Sequence, residues 1–380
     1  MKLGFFLRKK TSQVHQLARR CSYLIEYLSW FVFSPYKFAK YPESVSKVLI
    51  FNEGALGDIF CSLRVIENLK RNNPHLNICF IISPQFYREM KFAEKLLNIS
   101  IIPKEQVKNE KFDLTLFFTP FPSEMKRYWK NLGFKVGNEY TGIRTSLTYR
   151  GILFNRKIFP KKRHKLEEEV CICRKSRLKV DNNFYCPRKL KNKKVDSLLK
   201  KRKIKKFIVI HPSGKNFSNI FKSGKIPAYS WPLERFEKLV GYLTETYNYK
   251  IILTGTAEEK FIADKVIPPN QKKNVFNFSG KMNVEELVSL VSQSDLLISI
   301  DTSVAHIATF TGTKVIDLFG PSFPEIIGAY GFKEKQVNLF HPEKCVKCRR
   351  KGPCPESNNL CMKAITAEEV INYINKILKT

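Results

Sequence analysis

Val48-Leu49-Ile50-Phe51-Asn52-Glu53-Gly54-Ala55-Leu56-Gly57-Asp58 is the stretch that decides the fold of this chain. Four consecutive apolar residues, two of them β-branched, suit a strand buried on both faces, as strands of a parallel sheet are. The glycines permit a tight turn, and Ile59 to Leu69 then carries apolar residues at helical spacing. A buried strand, a glycine turn and a helix open a Rossmann-like half. The apolar runs Ile78–Ile82 and Leu114–Phe118 predict further strands of the same kind.

The pattern restarts after a block of charge. Residues 188–206 hold 11 Lys/Arg against one acid, Asp196. Such a run reads as a solvated linker or helix face at a domain boundary. Phe207–Ile210 then leads into His211-Pro212-Ser213-Gly214, with a helix predicted from near Trp231-Pro232-Leu233-Glu234. Ile251–Leu253 precedes Thr254-Gly255-Thr256 and a helix opening with Glu258-Glu259. A helix over Val284–Val291 feeds the strand Leu296–Ile300, which ends at Asp301-Thr302-Ser303, and Val315–Phe319 runs into Gly320-Pro321. Strands alternating with helices, with polar or Gly residues at the strand C-terminal ends, predict a second doubly wound α/β domain whose ligand lies at those ends.

At roughly 150 residues per domain, 380 residues suit two domains. The expected division is an extension over 1–45, an N-terminal Rossmann-like domain over 46–200 with the Lys-rich linker at its end, a C-terminal one over 201–340, and a Cys-rich loop with a helix over 341–380. With 43% hydrophobic and 13% aromatic residues, the chain can build sizeable cores, which excludes wholesale disorder. Ten Cys in this length is too few for a disulfide-stapled scaffold.

The 67 Lys/Arg and 34 Asp/Glu give a net charge of +33, which calls for an anionic partner: nucleic acid, a phospholipid surface or a phosphorylated substrate. Residues 1–225 carry +31, residues 226–340 carry −2 and residues 341–380 carry +4, so the two halves face different partners. The extension mixes Lys2, Arg8, Lys9, Lys10, Arg19 and Arg20 with Phe5, Phe6, Tyr23, Trp30, Phe31 and Phe33. Two readings stand, a segment in the headgroup region of an anionic membrane and a helix docked on the body of the protein. No stretch reaches the ~18 apolar residues of a membrane span, and no signal-peptide pattern stands at the start. The expectation is a cytoplasmic protein with mostly reduced thiols.

Two turns carry candidate chemistry. In Gly54-Ala55-Leu56-Gly57-Asp58 the aspartate either caps the following helix or faces the cleft and accepts a proton from a bound hydroxyl. In Asp301-Thr302-Ser303-Val304-Ala305-His306 the backbone N–H groups of a starting helix suit phosphate and Asp301 suits a sugar or ribose hydroxyl. The alternative there is an N-cap with a core histidine. Cys345, Cys348, Cys354 and Cys361 either close a structural zinc site or are reduced or paired thiols that order a loop.

Taken in order, GALGD, HPSG, WPLERF, TG(x2)E, GKMNVEEL, DTSVAHIA and LFGPSFPEIIGAYG resemble the ADP-heptose:lipopolysaccharide heptosyltransferases, the inverting glycosyltransferase family 9, from about Val48 to the C-terminus with a weak stretch near residues 100–160. The resemblance implies the GT-B fold: two Rossmann-like doubly wound domains facing across a cleft. It implies a nucleotide-sugar, ADP-heptose above all, bound by the C-terminal domain, and an anionic lipid-linked glycan acceptor met by the N-terminal one at the inner face of the cytoplasmic membrane. Asp58 then matches the general base, with Gly54 and Gly57 shaping its turn. Ser213 and Gly214 match the diphosphate turn, Glu258 (or its neighbour Glu259) a ribose-binding acid, and Met282 the position beside the base. Asp301, Thr302, Ser303 and His306 match the loop around sugar and phosphates. His164 and Glu167 resemble the family's H-x-x-E stretch and receive no chemistry.

Two positions depart from that pattern: Ser303 stands where the family has Gly, and Tyr229 where many members have a phosphate-binding Lys, a charge that Lys215, Lys222 or Lys225 would then supply. No Asp-x-Asp motif is present, so no catalytic metal is implied. The competing classes are a nucleic-acid-binding protein, for which no recognisable motif is found, an inactive GT-B scaffold, and a family relative using another nucleotide-sugar.

Overall fold

The computed structural model describes residues 40–119, 123–138, 156–158, 164–184, 187–214, 216–331, 334–341, 353–354 and 358–379. The extension over 1–45 therefore lies almost wholly outside the described residues.

The first half runs β1 (Lys47–Asn52), α1 (Leu56–Asn72), β2 (Asn77–Ile82), α2 (Lys91–Leu97), β3 (Ser100–Ile101), β4 (Leu114–Phe117), β5 (Phe134–Asn138), β6 (Arg156–Ile158) and α3 (Lys165–Lys175). Its strands form one parallel sheet in the order β3-β2-β1-β4-β5-β6. The second half runs α4 (Lys193–Lys201), β7 (Phe207–His211), α5 (Phe217–Lys222), α6 (Leu233–Thr246), β8 (Lys250–Leu253), α7 (Lys260–Lys265), β9 (Val275–Asn277), α8 (Val284–Gln293), β10 (Leu296–Ile300), α9 (Ser303–Thr311), β11 (Val315–Phe319), α10 (Pro324–Ile327), β12 (Gln336–Phe340), α11 (Leu360–Ala364) and α12 (Ala367–Lys379). These strands form a second parallel sheet, β12-β11-β10-β7-β8-β9. In each sheet the strand order reverses beside the first strand of the half, and a ligand crevice opens at such a switch point.

The central strands are buried on both faces because helices cover both: Val48, Leu49 and Ile50 in β1, and Ile208, Val209 and Ile210 in β7, are wholly shielded. The Lys-rich run forms α4, whose Val195 and Leu199 turn inward while its lysines stay in water. Asn192 caps it, its side-chain oxygen accepting from the N–H groups of Lys194 and Val195. This segment already sits with the second sheet: Leu190 N–H donates to the Ser292 hydroxyl at the end of α8, and Arg188 N–H donates to Thr311 O in α9. The seam expected between residues 200 and 201 thus falls in the last turn of a helix that packs on the C-terminal domain.

The two halves are pressed together along α1 and α9. Phe60 and Phe310 meet with ring centroids 5.4 Å apart, and the Arg188 guanidinium lies 4.6 Å from the Phe310 ring while pairing with Glu67 of α1. Among the described residues no helix is long and apolar enough to cross a membrane.

Candidate functional site

The turn after β1 is built around the Asp58 carboxylate. Asp58 is the third residue of α1, and its Oδ2 accepts from the Ala55 N–H at 2.9 Å, satisfying one of the donors a helix start leaves open. Asn52 at the strand end braces the turn, accepting from Gly54 N–H at 2.8 Å and donating to Ser62 Oγ at 2.7 Å. A Cβ on Gly54 would stand 2.5 Å from Asp58 Oδ2, so only glycine lets the carboxylate fold back here. On Gly57 it would stand 2.7 Å from Cδ2 of His306 in α9, so that glycine admits the other domain. Asp58 therefore caps α1 while its side chain stays 31% exposed.

Its other oxygen, Oδ1, is 2.6 Å from Lys165 Nζ at the start of α3. One helical turn on lies Glu169, buried, with Oε1 accepting from Ser62 Oγ at 2.9 Å. Burial pushes the Glu169 carboxyl well above the usual carboxylate range. Neither Lys165 nor Glu169 was marked by a sequence motif; the available signal was their spacing of four along a helix beginning at His164.

Across the cleft, Asp301 follows β10 and accepts from the Ser322 hydroxyl. Thr302 caps α9 through Val304 N–H at 3.4 Å and shares a hydrogen bond with Ser299 Oγ at 3.0 Å. Ser303 is the first residue of α9, where N–H groups point outward. His306, half-buried, sits in the field of both Asp301 and Asp58, with Nδ1 3.4 Å from Cys61 Sγ. Burial pulls its imidazole down to about 4 against the pull of the two acids, so the ring is neutral at pH 7.

The Ser213-Gly214 turn joins the same wall. A Cβ on Gly214 would be 3.2 Å from the Tyr229 ring and 3.3 Å from Thr302 Cγ2. Ser213 Oγ is buried with no hydrogen-bond partner among the described residues, an open hydroxyl at a strand end. Burial pushes the Tyr229 phenol up to about 12, so it faces the turn as a neutral hydroxyl and not as a cation.

Of the two adjacent glutamates, Glu259 is used internally, its Oε2 accepting from Thr256 N–H at 2.8 Å. Glu258 is exposed and stays ionised, held below the usual range by a hydrogen bond to its own backbone and by the Thr256 side chain. It, and not the buried Glu259, presents its carboxylate to solvent. Lys222, exposed at the end of α5, lies within the field of Glu258, and Met282 is half-buried against the core beside α8. Lys215 lies outside the described residues, as do Cys345 and Cys348. Cys354 donates its N–H to Ile226 O at 2.9 Å and Cys361 is buried near Ala228 O. Among the described residues no group of three or more His, Cys, Asp or Glu side chains could hold a metal.

His164 and Glu167, given no chemistry by the sequence, clasp the two domains. His164 caps α3 by accepting from Leu166 N–H at 3.2 Å, donates from Nε2 to Gly328 O at 3.0 Å, and stacks on Tyr330 with centroids 4.3 Å apart. Tyr330 donates its hydroxyl to Glu167, and an adjoining cavity of about 420 Å³ is lined by these three residues with Pro324, Glu325, Ala329 and Asn338. One neutral ring nitrogen accepting and the other donating is the tautomer this site requires, and burial pulls His164 down to about 3.

His211 is likewise lowered by burial, so three histidines remain neutral in the folded chain at pH values where the unfolded chain protonates them near 6.5. Depressed folded values mean the unfolded state binds protons first, so stability is complete above about 6.5 and falls as the pH drops towards 5. Urea midpoints measured across that interval should decline steadily; a flat profile would contradict the neutral assignment.

With this geometry in view, comparison with known proteins is informative. Residues 149–358 match glycosyltransferase family 9 (heptosyltransferase). Lipooligosaccharide heptosyltransferase 2 of Campylobacter jejuni is 24% identical over 304 residues, spanning 72% of this chain and 92% of that protein. The protein of the same name from Haemophilus influenzae is 26% identical over 155 residues, 40% of this chain, a match that spans 44% of its own length. The structure of Escherichia coli ADP-heptose LPS heptosyltransferase II superposes with a TM-score of 0.64 at 16% identity, covering 88% of this chain and 99% of that one. The fold is thus GT-B, as the paired doubly wound sheets imply. The family match covers more than half of the sequence and includes the strand-end loop that carries Asp301 to His306, and on that ground this chain belongs to glycosyltransferase family 9, the heptosyltransferases.

Proposed function

We propose that this protein transfers a heptosyl group from ADP-heptose to a lipopolysaccharide core, with inversion at the anomeric carbon and Asp58 as general base. The observation that carries the reading is the opposition of two strand-end loops: Asp58 on the N-terminal side and Asp301-Thr302-Ser303 on the C-terminal side, both in the field of His306. A sugar hydroxyl is a poor nucleophile until its proton is removed in the transition state. The acceptor O–H proton passes to the Asp58 carboxylate, the oxygen forms the new bond to the anomeric carbon, and the bond to the leaving phosphate breaks with its electron pair on ADP. N–H groups at the start of α9 and the open Ser213 hydroxyl are placed to receive the developing phosphate charge. Glu258, the exposed acid of the pair, takes a ribose hydroxyl. The superposed E. coli protein is an ADP-heptose LPS heptosyltransferase, and that likeness supports the choice of donor.

The charge of +31 on residues 1–225 and the exposed lysines of α4 support an anionic, lipid-linked acceptor and peripheral attachment at the inner face of the cytoplasmic membrane. Ser303 and Tyr229 motivate a second reading, a different nucleotide-sugar on another surface glycan.

Calorimetry with ADP, UDP, GDP and CDP, followed by transfer assays with ADP-heptose and inner-core acceptor, separates the two. The expected result is ADP bound at least about tenfold more tightly than the others, an advantage of roughly 1.4 kcal/mol, with a heptose-sized mass gain on the acceptor. Tighter UDP binding with no heptose transfer would select the second reading.

A further inference from the structure

Lys165 occupies a position that its helix disfavours. It is the first residue of α3 after the His164 cap, where the helix end carries partial positive charge and repels a cation. Its side chain is only 17% exposed, so the ammonium has also lost most of its water. Two acids offset this: Asp58 Oδ1, 2.6 Å from Nζ, and Glu169 one turn along the same helix. Burial pulls the ammonium down, yet the two carboxyl groups outweigh it and hold Lys165 above the usual lysine value. Glu169 is itself buried and pushed well above the carboxylate range, and Asp58 is the acid in direct contact with the ammonium.

We infer that Lys165 is the positioning residue of the base, holding the Asp58 carboxylate in one orientation and in its anionic form as the cleft fills. The inference rests on the reading of Asp58 as base. A carboxylate that loses water when substrates enter is driven towards its neutral acid unless a fixed opposite charge remains beside it. Lys165 is that charge, and it meets one oxygen of Asp58 while Ala55 N–H holds the other. Each carboxylate oxygen retains a lone pair for the acceptor hydroxyl. The other groups around Asp58 cannot substitute. His306 from α9 is neutral, Asp301 beyond it is an acid, and Cys61 of α1 is a thiol pushed up to about 11 by burial. Arg64, one turn further along α1, is directed to Gly331 and Tyr330 of the other domain.

The test is the pH dependence of kcat/KM between pH 5 and 9 for the wild type, Lys165→Met and Lys165→Arg, with Asp58→Asn alongside. Loss of the charge should move the acid limb of Lys165→Met upward by about one unit or more, a roughly tenfold loss at pH values below both limbs that is recovered above them. Lys165→Arg should keep the limb in place. An acid limb unmoved in Lys165→Met, with activity reduced equally at every pH, would overturn the inference while leaving Asp58 as base. Full transfer by Asp58→Asn would instead remove the base itself. Should Lys165→Met not fold, Lys165→Gln replaces it. A double-mutant cycle of Asp58→Asn and Lys165→Met on urea midpoints tests the pair without any activity assay, and strictly additive effects would overturn it.

Discussion

Asp58→Asn is expected to lower kcat for sugar transfer by about 10²- to 10⁴-fold, the range that a positioned general base contributes. The substitution is nearly isosteric. Its amide oxygen can still accept from the Ala55 N–H that Asp58 Oδ2 engages at 2.9 Å, so the cap on α1 survives while the capacity to take up a proton does not. ADP affinity should change by less than about threefold, because Ser213, Thr302 and Ser303, to which we assign the donor, belong to the other domain. A fall in kcat with donor binding intact is the signature of an interaction made only in the transition state. The same change strands the Lys165 ammonium in a half-dry site, and breaking one partner of a buried ion pair is costly, so thermal midpoints must be recorded beside the rates. Near-normal kcat in a folded Asp58→Asn protein would refute the proposed chemistry.

Trp231→Ala should destabilise the second domain by about 3–5 kcal/mol. Trp231 is wholly buried, meets Phe236 edge-on with centroids 4.7 Å apart, and donates its indole N–H to Ile365 O at 2.9 Å. Arg235, one turn along, donates to Lys363 O at 2.7 Å. These contacts bind α11 and α12, from the far end of the chain, to the body of the C-terminal domain. Truncation would open a cavity and leave the Ile365 carbonyl without its indole donor, two effects that add. Trp231→Phe should recover most of the packing and lose chiefly the hydrogen bond, at about 1–2 kcal/mol. Urea unfolding followed by circular dichroism measures both; a loss below about 1 kcal/mol for Trp231→Ala would show that the C-terminal segment is held by other contacts.

The sequence is most legible where structure is local. The buried strands Leu296–Ile300 and Val315–Phe319 match their predicted bounds to the residue, because each is a short apolar run interrupted by a single polar residue, Ser299 or Asp317, and closed by a polar or glycine turn. Between residues 100 and 160 the apolar run beginning at Leu114 marks β4, but β5 leaves no such trace. Phe134–Asn138 interrupts its apolar residues with Lys135, which is nonetheless buried, its ammonium donating to Gly133 O, and a lysine inside a strand defeats a periodicity reading. The Lys-rich run is solvated as its charge requires, but its two inward residues, Val195 and Leu199, tie it to α8 and the second sheet, a choice its own composition does not reveal.

The sequence by itself determined the paired α/β halves and singled out the strand-end turns that carry Asp58 and Asp301, since these follow from short-range periodicity and from turns a few residues long. Only the tertiary structure decided which side chains meet. It set Lys165 against Asp58, gave the capping role to Glu259 while Glu258 stays exposed, and turned His164 and Glu167 into a clasp on Gly328 and Tyr330. The clasp and the Lys165–Asp58 pair join segments far apart in the chain. The two adjacent glutamates differ by burial, which neighbours from other elements impose and no local pattern records.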